Sequence, residues 1–168
     1  MSIIGALVAY KGRPAKVVSS STHKYEISFS DGTKQKVREK DFRFIHPEFS
    51  SVHNDIPDVD ASILNDLDVE SLELEELTEW LFDEFTSQNA WFVYLMSEDG
   101  LYFYWNKNVL VTRSVDQIES IRSSRLEKAL EEESLQLCIE NLRKDSFENH
   151  DIQWIHEIEQ VAFNQSKH

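Results

Sequence analysis

The sequence predicts an α+β chain, and three observations predict it. Between residues 3 and 46 short apolar runs alternate with polar residues at period two and are separated by turn residues. From residue 71 the apolar spacing becomes helical, as in Leu74, Leu77, Leu81, Phe82 and Phe85. At "LYFYW" period two returns, before a long helical stretch begins at Ser114.

In the first region the expected strands are 3–10, 15–20, 24–29 and 34–37. Asp31-Gly32 joins the last two, because glycine accepts the positive φ of a tight hairpin. Tyr25, Ile27 and Phe29 alternate with Lys24, Glu26 and Ser28, the pattern of a half-buried sheet, and the region reads as a small antiparallel barrel of SH3-like form over 1–46. Residues 47–66 hold two of the three prolines, scattered acids and no periodicity, and read as a surface linker or a wrapping segment.

For the first helix Ser71 is the expected N-cap, and Glu73, Glu75 and Glu76 lie where the positive end of the helix dipole favours anions. Thr86 or Ser87 is expected to cap a second helix with Trp91, Tyr94 and Leu95 on one side. A hairpin follows, with Leu101, Phe103 and Trp105 on one face and a turn at 106–108. A helical pair followed by a hairpin, over 67–113, is winged-helix or helix-turn-helix architecture. The remainder, 114–168, reads as C-terminal helices: Ser114 and Gln117 have capping-box spacing, a break is expected near 147, and Ile152, Ile155, Ile158 and Ala162 begin the last helix. Trp80, Trp91 and Trp154 read as core or packing residues.

Charge is distributed unevenly. Residues 1–46 carry nine Lys and Arg against four acids, +5, which leaves −19 for the rest of a chain whose total is −14. No Lys or Arg occurs between Arg43 and Lys107. The single cysteine, Cys138, excludes an internal disulfide framework and fits a reducing compartment; on an apolar helix flank it reads as a buried structural thiol. The apolar run 3–9 is short and lacks a basic residue before it, so no signal peptide is expected, nor any membrane span, and the expected location is the cytoplasm.

Catalytic patterns do not emerge. The histidines have no metal-ligand spacing, and no nucleophile elbow, phosphate-binding loop or dinucleotide fingerprint is present. Asp55, Asp58 and Asp60 are close enough to hold Mg²⁺, but their segment lacks the rigid neighbours such a site needs, so a solvated acidic stretch is the preferred reading. The basic residues carry more. Lys34, Lys36, Arg38 and Lys40 alternate along one strand and its continuation, a stripe suited to phosphates, which Lys11, Arg13 and Arg43 extend if the barrel closes. The alternatives are a solvated strand face or a docking surface for the chain's own acidic helix. In "YFYW", core packing with one exposed tyrosine is preferred over base stacking.

The segments "GALVAYKGRPAKVV", "FSDGTKQKVREKDFRFIHP", "LTEWLFDEFTSQNAWFVYLM", "YFYW" and "TRSVDQIESIRSSRLEKALEEE" resemble, in order and spacing, the N-terminal region of a branch of the ribonuclease II family. The resemblance covers residues 5 to 140. These are hydrolytic 3′-to-5′ exoribonucleases, whose segment ahead of the catalytic domain is a small β-barrel followed by a helix-turn-helix or winged unit. The resemblance implies a non-catalytic region that guides RNA toward a catalytic domain of the same enzyme. That domain binds Mg²⁺ through closely spaced aspartates, including an adjacent pair that nothing here matches. No cofactor and no catalytic residue are therefore expected in this chain. The expected RNA contacts are Lys11, Arg13, Lys34, Lys36, Arg38, Lys40 and Arg43, with Ser87, Gln88 and Asn89 at the start of the second helix. The expected partners are RNA and the catalytic domain. The rival expectation is an acidic docking module with no RNA contact.

Overall fold

A computed structural model describes residues 3–22, 24–57 and 71–143. The chain divides into two compact units, Met1–Ile118 and Glu119–His168. It is mixed α+β, with antiparallel sheets of five and three strands and three helices among the described residues.

The first sheet contains β1 (Leu7–Tyr10), β2 (Arg13–Ser21), β3 (Lys24–Phe29), β4 (Lys34–Val37) and β5 (Arg43–His46), in the order β4-β3-β2-β1-β5. Lys11 and Gly12, with φ of 50° and 74°, make the two-residue turn between β1 and β2. Both angles are positive, as the twist of such a hairpin demands, and glycine lowers the cost at the second position. A 3-10 turn at Glu39–Asp41 leads into β5, which returns to pair with β1. That last strand was not expected from sequence. "RFIH" is only four residues long and has no clean alternation, so its pairing is a tertiary event.

One face of this sheet packs on itself. Ala6, Val8, Ala15, Val17, Ile27, Phe29 and Val37 are buried together, flanked by Tyr10, Tyr25 and Phe42. The other face divides. Leu7, Ala9 and Ile45, on β1 and β5, belong to the same core as Leu74, Leu77, Trp91, Phe103 and Leu110. The outward positions of β2, β3 and β4 face solvent.

The helical part comprises β6 (Ser71–Leu72), α1 (Leu74–Phe82), α2 (Ser87–Asp99), β7 (Phe103–Asn106) and β8 (Val109–Thr112), with the small sheet ordered β6-β8-β7. Ser71 is not a cap: it pairs with Val111 in β6, and Glu73 caps α1 through a reciprocal box with Glu76. Thr86 caps α2 by accepting from the Asn89 N–H at 3.2 Å. Gly100, at φ 69°, closes α2 with its N–H on the Met96 carbonyl. Helix α2 is buried almost all round, from Ala90 to Tyr94, because it lies between the sheet and the hairpin. Trp91 is a core residue as expected, but Trp80 is 44% exposed on α1. In the hairpin Phe103 is buried and Tyr104 is the exposed tyrosine.

Residues 47–57 form a strap rather than a free linker. Phe49 and Val52 pack on the shared core, and the Trp91 Nε1 donates to Asn54 Oδ1 at 2.9 Å. Helix α3 (Val115–Arg143) starts with the expected box, Ser114 N–H to Gln117 Oε1 and Gln117 N–H to Ser114 Oγ. Cys138 is buried as expected. The remainder of 47–66 beyond residue 57, including Asp58 and Asp60, lies outside the described residues. So do the break near 147 and the last helix with Trp154. Among the described residues no helix is long and apolar enough to cross a membrane.

Candidate nucleic-acid interface

Register decides which cations stand together. Residues paired across antiparallel strands project to the same side of a sheet. Lys16 pairs with Ser28 and Ser28 with Lys34, making one row across β2, β3 and β4. Ser19, Glu26 and Lys36 make the next, and Ser21 with Lys24 the third. Between the first two rows the register shifts at Val18, so that Ser19 rather than Val18 pairs with Glu26.

The result is a solvent-facing panel of four lysines and three serines around a single acid, Glu26, which accepts weakly from Ser19 Oγ at 3.5 Å. Lys16, Lys24, Lys34 and Lys36 are exposed, and none is in an ion pair among the described residues. Side chains two apart on a strand are about 7 Å apart and those two strands apart about 10 Å. Cations so spaced reach successive phosphates of one nucleic-acid strand, and serine hydroxyls donate to the same oxygens.

The other cations named from sequence are elsewhere. Arg13 lies over the Phe29 ring, 4.5 Å from its centroid, and forms a 2.8 Å ion pair with Asp31. Asp31 also accepts from the N–H and hydroxyl of Thr33, and those bonds first, with Arg13 after them, hold its carboxyl down at about 2. Arg38 grips Asp41 through two nitrogens, at 2.8 and 3.1 Å, which lowers the Asp41 pKa and raises that of Arg38. Lys11 stands at the β1–β2 turn over the Tyr10 ring, and Lys40 is exposed in the 3-10 turn.

Arg43 is a structural cation. Its guanidinium stacks 3.8 Å from the centroid of Trp105 and donates to the Lys107 carbonyl at 3.0 Å, joining the large sheet to the hairpin. Burial lowers its pKa.

Ser87, Gln88 and Asn89 come together at the start of α2 and bind the chain itself. Ser87 is buried with its hydroxyl 2.6 Å from that of Ser50. Gln88 accepts from the His53 N–H and donates to the His53 carbonyl, both at 2.9 Å, and the Asn89 side chain donates to the Glu84 carbonyl. Ser87 and Gln88 clamp the strap.

Comparison with protein-family models, curated proteins and solved structures finds no match. The panel must therefore be read from its own chemistry. Sequence reading found Lys34 and Lys36 but missed Lys16 and Lys24. Their signal was present: Ala15 and Val17 flank Lys16 as inward residues, and Lys24 shares parity with Ser28. Only the pairing register puts the two strands' lysines in one panel. Among the described residues no group of His, Cys, Asp or Glu is arranged to hold a metal ion.

Proposed function

We propose that this chain is a non-catalytic RNA-handling region of a ribonuclease II-type 3′-to-5′ exoribonuclease. In this reading the five-stranded sheet is an SH3-like barrel, and α1, α2 and the β6–β8 sheet are a winged-helix unit. Magnesium and hydrolysis belong to a catalytic domain outside this chain. The winged unit serves as a brace, since Ser87 and Gln88 in the first turn of α2 spend their polar groups on the strap.

One observation carries the reading. In a chain of charge −14, four exposed lysines share the solvent side of β2, β3 and β4, and among the described residues none is ion-paired with an acid. Such segregation has an electrostatic cost that an external polyanion repays. Lys11 and Lys40 add to the field from the rims of the sheet. Arg13, Arg38 and Arg43 act within the fold.

The test is anisotropy of a labelled, unstructured single-stranded RNA between about 50 and 300 mM salt. Each phosphate contact contributes roughly 0.7 to the slope of log affinity against log salt for a single strand. Replacing Lys16, Lys34 and Lys36 together by Ala should flatten the slope by about two and weaken binding at low salt. Replacing Arg13 and Arg38 by Ala should change the slope by less than about 0.5. RNA affinity that survives the triple lysine substitution sinks the proposal.

A further inference from the structure

A second surface of the Met1–Ile118 unit has the opposite character. A groove of about 1150 Å³ runs between the 3-10 turn, β5, the start of α1 and the end of α2. Its apolar wall is aromatic: Phe42, Phe44, Tyr94 and Trp105 line it, and Phe44 is 45% exposed on β5. Its charge is acidic. Glu39, Asp41, Glu73, Glu75 and Glu98 line it against Lys40 and Arg43. Arg43 is already stacked on Trp105, and Asp41 is already held by Arg38. Glu39, Glu75 and Glu98 are exposed carboxylates along the opening.

β5 is also one of the two edges of the five-stranded sheet. An edge strand turns alternate N–H and C=O groups away from its neighbour, which lets an extended chain add a further strand. Aromatic rings beside carboxylates suit side chains that are apolar along the stem and cationic at the tip, above all arginine, which stacks on a ring while its fork reaches a carboxylate.

The geometry points to a docking site for an extended, arginine-bearing peptide of a partner protein, laid along β5 with its cations on Glu75 and Glu98. The chain's own segment 58–70 is itself acidic, which disfavours it as the occupant. The site is separate from the lysine panel and does not depend on the RNA reading.

The probe is a fluorescein-labelled peptide of four Arg-Val repeats, added to the full chain at about 150 mM salt, where long-range attraction to net charge is largely screened. Binding should shift the amide resonances of Arg43–His46 and of Glu75 in the wild-type chain. Glu75→Lys with Glu98→Lys should weaken it at least about tenfold, and Phe44→Ala about fivefold. Glu131→Lys with Glu132→Lys, the same charge change on exposed α3 residues, should alter it less than about twofold. Lys16→Ala with Lys34→Ala and Lys36→Ala should not weaken it, so failure here and failure of the RNA reading are distinguishable. Equal losses from both glutamate pairs, shifts confined to other surfaces, or a groove filled by residues 58–70, by 144–168 or by a second copy of the chain would each overturn the proposal.

Discussion

At the tip of the β3–β4 hairpin Asp31 shows how local geometry perturbs an exposed carboxylate. Its pKa falls from 3.8 to about 2, chiefly through the hydroxyl and N–H of Thr33 and then through Arg13. A carboxyl whose folded pKa lies below its unfolded value stabilises the fold above the unfolded pKa, and that contribution is lost as pH drops from about 4 toward 2. Following the Asp31 carboxyl carbon by NMR should give a midpoint near 2, and Thr33→Val should move it upward toward 3.8. An unmoved midpoint would mean that Arg13 is the main cause. At Arg43 the chemistry is planar stacking, not charge alone. Arg43→Ala should cost about 1–2 kcal/mol in urea unfolding, and Arg43→Lys should recover less than about half, because an ammonium cannot reproduce the stacked plane and its hydrogen bond to Lys107.

At the scale of elements, the strap over 47–57 explains residues that looked like RNA contacts. Ser87, Gln88 and Asn89 sit where a helix N-terminus exposes donors, which is why the sequence pointed there. The Asn89 side chain is held by the Glu84 carbonyl, and the strap reached Ser87 and Gln88 first. Phe49 and Val52 anchor it in the core, and the paired hydrogen bonds between Gln88 and His53 fix its path. Gln88→Ala should therefore cost about 1–2 kcal/mol and speed hydrogen exchange at the His53 amide, while leaving the salt slope of RNA binding unchanged. A reduced slope would return the α2 start to the RNA interface. Helix α1 behaves differently: with only nine residues it buries Leu74, Leu77 and Thr78 and leaves Trp80 outside, because its inner face is narrow.

At the scale of the whole molecule, the five-stranded sheet and the helical pair are not beads on a string. Leu7, Ala9 and Ile45 from the sheet share one core with Leu77, Trp91, Phe103 and Leu110. Leu77→Ala should cost about 2–5 kcal/mol, and hydrogen exchange should accelerate in β1 as well as in α1, because one cooperative core holds both. Protection in β1 that ignores the substitution would instead make the sheet an independent folding unit. Local sequence determined much of this protein: the strands at Lys24–Phe29 and Lys34–Val37, the capping box at Ser114, the helical pair, the hairpin, and the separation of a basic amino end from an acidic remainder. Those features depend on neighbours within a few residues, where side-chain parity, turn preference and capping act. Tertiary structure alone decided that β5 closes on β1, that Lys16 and Lys24 join Lys34 and Lys36, that Arg13 and Arg38 are spent on aspartates, and that the α2 start is covered. Each depends on register or on contacts between segments distant in the chain, and a charge pattern read along a line does not say which residues will be side by side.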